Sequence, residues 1–594
     1  MIEIENFTFR YREGAQPAVS DVNLSISDGA FVGIIGAAGS GKSTLTYAMN
    51  GIVPHCYPGD FYGSVRVGGL DTCECELTQV SRMVGSVCQD IDSQMVSTAV
   101  EDEMLYGLEN FGVPKPEIEP RVADALDAMG IADLRSRAID SLSGGQKQKV
   151  AIASILALRP RVLVLDEPTA ELDPASSVAV FDLLARYARE HGTTVVAVEQ
   201  KIALLSEYAD MLVVMDGGRV RYAAPPAEVL SAPGDLLALG VNCPRSTTLM
   251  SRLHAAGVYA GPVCRNVSQA VRALESLLAV PATARDAGAP AGAENADAEN
   301  VGAPAGASVP AGERVAAIEF RNVSAEYETE LPVLRNVSFT IGRGEFVAFA
   351  GTNGAGKSTT MRLVNGLLKP TAGQVLVDGV LTTSLKTSQL ARKVGFLFQN
   401  PDRQICCSTV RDELLFGFRA LGAAGAEAEA RVDAVIEEFG FKPDADPFLL
   451  NRGTRQLLAL ASVVVTAPSV AVLDEPTTGL DYRECCKVMD AVEKLCASGT
   501  TVVMVCHDME VVADFARRVI VMSAGEVVAD GPTFDILRDR AVCERASLVP
   551  PQMVGVSLAL ADAVPALARA SVARENTLDG MEAAVLSLLK GGCA

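Results

Sequence analysis

A glycine-rich turn that occurs twice constrains this chain more than any other feature of it. The apolar run Phe31–Ile35 leads into Gly36-Ala37-Ala38-Gly39-Ser40-Gly41-Lys42-Ser43-Thr44, and Phe346–Ala350 leads into Gly351-Thr352-Asn353-Gly354-Ala355-Gly356-Lys357-Ser358-Thr359. Both fit an apolar strand followed by G-x-x-x-x-G-K-[ST] at the start of a helix. Such a turn points successive backbone N–H groups inward, and the helix N-terminus behind it adds a favourable dipole, so each copy is a cradle for phosphate oxygens. Lys42 and Lys357 are placed to reach the β- and γ-phosphates of a nucleotide, and Ser43 and Ser358 to ligate Mg2+.

The repeat runs on in the same order. Val162-Leu163-Val164-Leu165-Asp166-Glu167-Pro168-Thr169 is matched by Val470-Ala471-Val472-Leu473-Asp474-Glu475-Pro476-Thr477, and Thr193–Val198 by Thr500–Val505. The 594 residues therefore resolve into two copies of one domain. Asp166 and Asp474 each end an apolar strand and are suited to hold Mg2+ through water. Glu167 and Glu475 beside them are suited to orient and polarise an attacking water, since phosphoryl transfer depends on positioning and charge stabilisation more than on covalent chemistry.

Between the copies, from Pro281 to Gly312, 21 of 32 residues are Ala, Gly or Pro and none is aromatic. Such a segment cannot build a core and reads as a flexible linker with an r.m.s. reach of about 30 Å. The expected boundaries are then residues 1–240 for the first domain, 241–280 for a helical appendage, 281–312 for the linker, 313–548 for the second domain and 549–594 for a second helical appendage. Asn266–Leu278 and Asn576–Leu589 each carry apolar residues at helical spacing. Their first use is packing, and a contact between the two appendages is a further expectation.

Composition narrows the function classes. Asp plus Glu number 73 against 51 Lys plus Arg, a net charge of −22 on a chain that is 49% hydrophobic. This is a globular chain, and its acidity argues against nucleic acid as a main partner, because affinity for a phosphate backbone comes from Lys and Arg. The N-terminus lacks the charged-then-apolar pattern of a signal peptide. The longest uncharged stretch, Gln456–Leu473, is interrupted by Pro468 and ends in Asp474 and Glu475, so it reads as a buried helix, a turn and a buried strand. The 14 cysteines include no pair of CxxC knuckles and there are four His, so buried thiols are expected in place of a zinc site.

Leu142-Ser143-Gly144-Gly145-Gln146, between the first turn and Asp166, resembles the signature of ATP-binding cassette (ABC) ATPases. Gln89 and Gln399 match that family's Q-loop, Asp173 and Asp481 its D-loop, and Tyr11 and Tyr327 the aromatic residue that stacks on adenine. The resemblance covers both halves. It implies an α/β fold of two tandem P-loop NTPase domains of the ABC type, each with a helical subdomain and a small helical C-terminal appendage. It also implies ATP and Mg2+, with both glycine-rich turns around nucleotide and Gln89 and Gln399 joining Ser43, Asp166, Ser358 and Asp474 at the metal. The two halves would pair head to tail, each nucleotide lying between the turn of one copy and the signature of the other.

Within that family, Val394-Gly395-Phe396-Leu397-Phe398-Gln399-Asn400-Pro401-Asp402-Arg403-Gln404, followed by Thr409-Val410 and Asp412-Glu413, is similar to the Q-loop region of energy-coupling factor (ECF) transporter ATPases, the cobalt and vitamin uptake type. The similarity implies an ATP-hydrolysing subunit, peripheral on the cytoplasmic side of the cell membrane. It would power uptake of a vitamin or transition-metal ion through a transmembrane coupling protein and a small substrate-binding membrane protein. A fused ATPase of another importer, of the sugar or peptide type, and a soluble tandem ABC protein acting on ribosomes stay open as alternatives.

The two copies are not equal. Aligning Ala459–Val463 with Ala151–Ile155 sets Leu450-Asn451-Arg452-Gly453-Thr454 opposite the intact signature, and Arg452 adds bulk where the backbone should approach the γ-phosphate. The family's switch histidine is His507 in the second copy, and Gln200 takes its place in the first. Both departures fall in the composite site around Lys42, Asp166 and Glu167. The expectation is one hydrolytic site, built on Lys357, Glu475, His507 and the signature Ser143–Gln146, and one weak site around Glu167 and Gln200.

Overall fold

The computed structural model describes residues 1–12, 14–170, 172–279, 315–327, 332–423, 425–564, 567 and 570–591. The linker expected over 281–312 lies outside the described residues. Two kinds of strand follow from two burial patterns. Along Ile2–Tyr11, the side chains of Ile2, Ile4, Phe7 and Phe9 are buried while Glu3, Glu5 and Arg10 are exposed, so this strand has one covered face. It sits in an antiparallel sheet ordered Val19–Ile26, Ile2–Tyr11, Gly59–Val67, Leu70–Asp71. Val162–Asp166 and Thr194–Val198 are instead buried at every position, which is how strands read when helices cover both faces.

These buried strands form the core of a second sheet, ordered Arg219–Ala224, Met211–Asp216, Phe31–Gly36, Thr194–Val198, Val162–Asp166, Val84–Val87 among the described residues. All its pairings are parallel except that of the outermost Arg219–Ala224 with Met211–Asp216. The second copy repeats this order with Glu526–Pro532, Arg518–Ser523, Phe346–Gly351, Thr501–Val505, Val470–Asp474 and Val394–Leu397. In both copies the strand carrying the glycine-rich turn is one strand away from the strand carrying the Asp-Glu pair. The segments that leave their carboxyl ends therefore converge on one edge of the sheet, the usual place for a ligand in such a fold.

The uncharged stretch at 456–473 is the greater part of the helix Arg452–Val464, a turn, and most of the buried strand Val470–Asp474. Among the described residues no helix is long and apolar enough to cross a membrane.

The helices that follow each domain meet in one apolar cluster. Leu249, Leu253 and Leu274 come from Arg245–Ala255 and Val267–Ala279, and they pack with Met553, Leu560 and Val585 from Gln552–Ala563 and Leu578–Gly591. Polar bonds frame the cluster. Arg252 Nη1 donates to Asp579 Oδ1 at 2.6 Å and to Glu582 Oε2 at 3.1 Å, and Gln552 Oε1 accepts from the Ser246 N–H at 3.0 Å. Nearby, Arg245 pairs with Glu510 at 2.9 Å and with Asp514. The exposed ion pairs contribute little by themselves, so burial of the apolar side chains holds the contact. Leu253→Ala, which removes a fully buried side chain, should cost about 2–5 kcal/mol locally. Amide hydrogen exchange should then speed up in Gln552–Ala563, on the opposite half of the chain; unchanged exchange there would contradict this packing.

Candidate functional site

Each glycine-rich turn is shaped by what cannot stand in it. Gly36 and Gly351 have φ of 151° and 140°, and a Cβ at either would collide with the carbonyl oxygen of Met215 or Met522 on the adjacent strand. Gly39 and Gly354, with φ of 72° and 80°, have nothing within 4 Å of a Cβ and leave the cradle open on that side. Lys42 Nζ donates to Gly36 O and Ala37 O at 2.7 Å, and Lys357 Nζ to Gly351 O and Thr352 O at 2.8 Å. Each ammonium is thus held over the turn by the turn's own carbonyls. Ser40 Oγ is buried with no hydrogen-bond partner, a donor that an incoming phosphate oxygen would satisfy.

The residues present also fit a magnesium ion. Ser358 Oγ donates to Asp474 Oδ1 at 3.4 Å, and the Ser43 hydroxyl lies near enough to Asp166 to favour its ionised form. A hydroxyl beside a carboxylate is the hard oxygen donor set that Mg2+ takes. Burial pushes both aspartates up, Asp474 to about 6 with Glu475 adding repulsion, and a bound cation would relieve that cost.

Glu167 and Glu475 adopt φ of 51° and 53°, the left-handed region that few residues other than glycine occupy. Each is held there by its own N–H, which donates to Val198 O at 2.9 Å or to Val505 O at 3.0 Å. Their surroundings then diverge. Glu475 Oε1 lies 2.9 Å from His507 Nε2, and its Oε2 accepts from Gln399 Nε2 at 3.2 Å and Thr478 Oγ1 at 3.0 Å. Burial pushes this carboxyl up, but His507, Lys357 and Thr478 outweigh it and leave the group below its ordinary range. Glu167 accepts from Gln200 Nε2 at 2.7 Å and from Gln89 Nε2 at 3.0 Å. Burial, then Glu199 and Asp166, push it up to about 7, with Gln200 and Arg452 offsetting only part.

Glu199 was not singled out from the sequence. It stands where the second copy has Cys506, is buried, and accepts from Thr169 Oγ1 at 2.6 Å. The signal for it was available: an acid ending a wholly apolar strand, directly before Gln200. Lys201 beside it donates to Thr169 O at 2.9 Å and Ser177 Oγ at 3.1 Å.

The signature helices begin with different caps of one kind. Ser143 and Gln146 form a reciprocal capping box at the start of Gly144–Ala157, and Asn451 Oδ1 accepts from Thr454 N at 2.7 Å at the start of Arg452–Val464. Asn451 thus keeps the helix start that the missing serine would have provided. Tyr11 and Tyr327 each approach the residue after the turn's serine, with hydroxyls 3.1 Å from Thr44 Oγ1 and 3.3 Å from Thr359 Oγ1.

The halves face each other across these turns. The Ala38 N–H donates to Asp481 Oδ2 at 2.8 Å, and Arg483 bonds Ala238 O. Burial pulls the Lys42 ammonium down, while Glu167, Asp166 and then Asp481 and Glu484 of the second copy oppose it. Burial lowers Lys357 to about 8, with Asp173 of the first copy among the opposing charges. Arg452 is the second copy's contribution near Glu167. One group therefore contains Lys42, Ser43, Gln89, Asp166, Glu167 and Gln200 with Arg452 and Asp481 from the other copy. A second contains Lys357, Ser358, Gln399, Asp474, Glu475 and His507 with Asp173.

Fold and cradles together define a P-loop nucleotide-binding protein with the motif in duplicate. The ABC transporter family model matches residues 19–170 and 334–478, one segment in each copy. A protein of Methanosarcina mazei named as an ABC transporter ATP-binding protein is 36% identical over 563 residues, covering 94% of each chain. One of the same name from Caldanaerobacter subterraneus subsp. tengcongensis is 34% identical over 563 residues, covering 94% of this chain and 95% of its own. A solved structure, cbiO1 of Clostridium perfringens, described as part of the ABC transporter complex cbiONQ, is 29% identical, covers 40% of this chain and 97% of its own, and has a TM-score of 0.35. The chain belongs to the ABC transporter family, and its two halves are tandem ABC ATPase domains.

The carboxylates predict opposite pH behaviour in the nucleotide- and magnesium-free protein. Glu167, raised in the fold from 4.5 to about 7, contributes stability that is complete below pH 4.5 and lost as pH rises through about 7. Glu167→Gln should therefore gain up to about 3 kcal/mol relative to the native chain between pH 5 and pH 8, read from chemical denaturation. Glu475, lowered in the fold, contributes stability present above its unfolded value and lost as pH falls, so Glu475→Gln should show no such gain.

Proposed function

We propose that this chain is the ATP-binding and ATP-hydrolysing subunit of a membrane transporter of the ECF type, powering uptake of a vitamin or transition-metal ion. Membership of the ABC transporter family supports the ATPase and its coupling to transport. The likeness of residues 394–404 and 409–413 to ECF Q-loops supports the type. The observation that carries the reading is the grouping of Lys357, Ser358, Asp474, Glu475, Gln399 and His507 at the carboxyl ends of adjacent parallel strands.

In this reading, the N–H groups of the turns with Lys42 and Lys357 bind the β- and γ-phosphates of ATP, and Tyr11 and Tyr327 stack on adenine. Ser43, Asp166 and Gln89 hold one Mg2+ and Ser358, Asp474 and Gln399 another. When bound, the metal neutralises charge on the phosphate oxygens. Glu475 orients and polarises the attacking water, and His507 keeps the Glu475 carboxylate in place. Ser143, Gly144, Gly145 and Gln146 close on the γ-phosphate from the other half. At the first turn, Gln200 hydrogen-bonds Glu167 but cannot become a cation, and Arg452 stands where the intact signature has Gly144. Hydrolysis then runs at the second turn, while the first binds ATP and turns it over weakly. Closing and reopening of the halves is passed, near the Q-loops, to a transmembrane coupling protein that works with a small substrate-binding membrane protein, the chain itself lying on the cytoplasmic side of the membrane.

Steady-state ATPase should fall about 100-fold or more in Glu475→Gln and less than about tenfold in Glu167→Gln, since loss of a positioned acid–base group costs 100-fold or more. Equal losses would remove the asymmetry. Purification from native membranes should bring down one transmembrane coupling protein and one small membrane protein. Recovery with a sugar- or peptide-type permease, or sedimentation with ribosomes, would replace the ECF assignment.

A further inference from the structure

The helical part of the first copy contains a cavity that the nucleotide site does not use. It measures about 250 Å3 and lies between Lys115–Ala128, the end of Gly144–Ala157 and the end of Pro174–His191. Leu156 and Leu183 are its buried apolar lining, and Arg121, Arg159, Arg186 and His191 contribute to its walls.

The second copy supplies an internal comparison. Arg431-Val432 and Gly440 align with Arg121-Val122 and Gly130, and the helices that start after Asp481 and Asp173 align from those caps. In the second copy Lys494 Nζ pairs with Glu438 Oε1 at 2.6 Å, and the Arg431 guanidinium lies 5.8 Å from the ring centre of Phe418. The first copy has Ala128 in place of Glu438 and Leu108 in place of Phe418. Arg186, at the Lys494 position, consequently has no hydrogen-bond or ion-pair partner among the described residues. Arg121 donates through Nη2 to Glu117 at 2.6 Å, but its Nε is buried and unpartnered.

Arg159 takes the place of Ala467 and adds a third guanidinium, 3.5 Å from Asp124. Glu117 and Asp124 pair with Arg121 and Arg159, and Glu190 also lines the cavity, so of the three guanidinium groups Arg186 is the one without an ion-pair partner among the described residues. His191 stacks on Tyr187, with ring centres 4.3 Å apart at 19°.

We propose that this cavity binds a small phosphate dianion, either free or as the phosphomonoester of a small metabolite. Guanidinium forks match phosphate oxygens in geometry and charge. The Arg186 guanidinium is left open by the loss of the acid that pairs with Lys494, and Arg121 Nε is a buried donor without a partner. The Tyr187–His191 pair gives a flat surface for whatever the phosphate carries.

The test uses the full chain with both glycine-rich turns filled by Mg2+ and a non-hydrolysable ATP analogue, dialysed against radiolabelled inorganic phosphate or radiolabelled AMP. The native chain should bind one equivalent of probe that Ala128→Glu, which restores the second copy's acid opposite position 186, binds at least tenfold more weakly. Arg186→Ala should weaken binding to the same degree. Ala128 and Arg186 are both exposed, and unchanged thermal unfolding midpoints would verify that neither variant disturbs the fold. Tighter binding of AMP than of phosphate assigns a phosphomonoester, and the reverse assigns the free ion. No extra equivalent in the native chain, or equal binding by all three proteins, overturns the proposal.

Discussion

The cradle after each central strand exists because no side chain stands at Gly36 or Gly351, where a Cβ would strike the carbonyl oxygen of Met215 or Met522. That close approach lets the chain turn sharply enough for Lys42 and Lys357 to fold back over their own turn and bond its carbonyls. It also sets the starting point of the helices Lys42–Met49 and Lys357–Val364. The strand order then brings the Asp-Glu pair, Gln89 or Gln399, and Gln200 or His507 to the same edge in each copy, because all leave the carboxyl ends of neighbouring parallel strands.

The difference between the two sites comes from separating roles that one short motif combines. In the intact signature, Ser143 caps a helix and Gly144 keeps the backbone bare. The second copy preserves the cap through Asn451 and gives up the bare backbone through Arg452, so helix and packing survive while the surface offered to a nucleotide changes. At the opposite end of the same site, Glu199 and Gln200 replace Cys506 and His507. An added buried acid and a lost imidazole both shift Glu167 toward its neutral form, whereas Glu475 remains ionised.

Among the described residues the halves meet in two places of different character. Near the turns the contacts are polar, such as Ala38 with Asp481, and are of the kind that ligands can replace. Between the appended helices the contact is an apolar cluster with charged bonds at its rim. A cluster of this kind keeps the halves at high effective concentration whatever the state of the polar contacts.

Much of each site was legible because it is local. A phosphate cradle needs nine consecutive residues, a strand ending in Asp-Glu needs six, and the helix–turn–strand of the uncharged stretch announces itself by Pro468 and its closing acids. The likeness between the halves, and the places where they depart from each other, are also facts of sequence. Tertiary structure alone decided which groups share an environment. Asp481 meets Ala38 across 443 residues, Glu199 repels Glu167 from a neighbouring strand, and Arg186 stands open because a residue on another helix is Ala128 where its counterpart is Glu438. Local chemistry is set by adjacent residues, but electrostatic partners are set by distance in space, and that distance is fixed only when the strands and helices have packed.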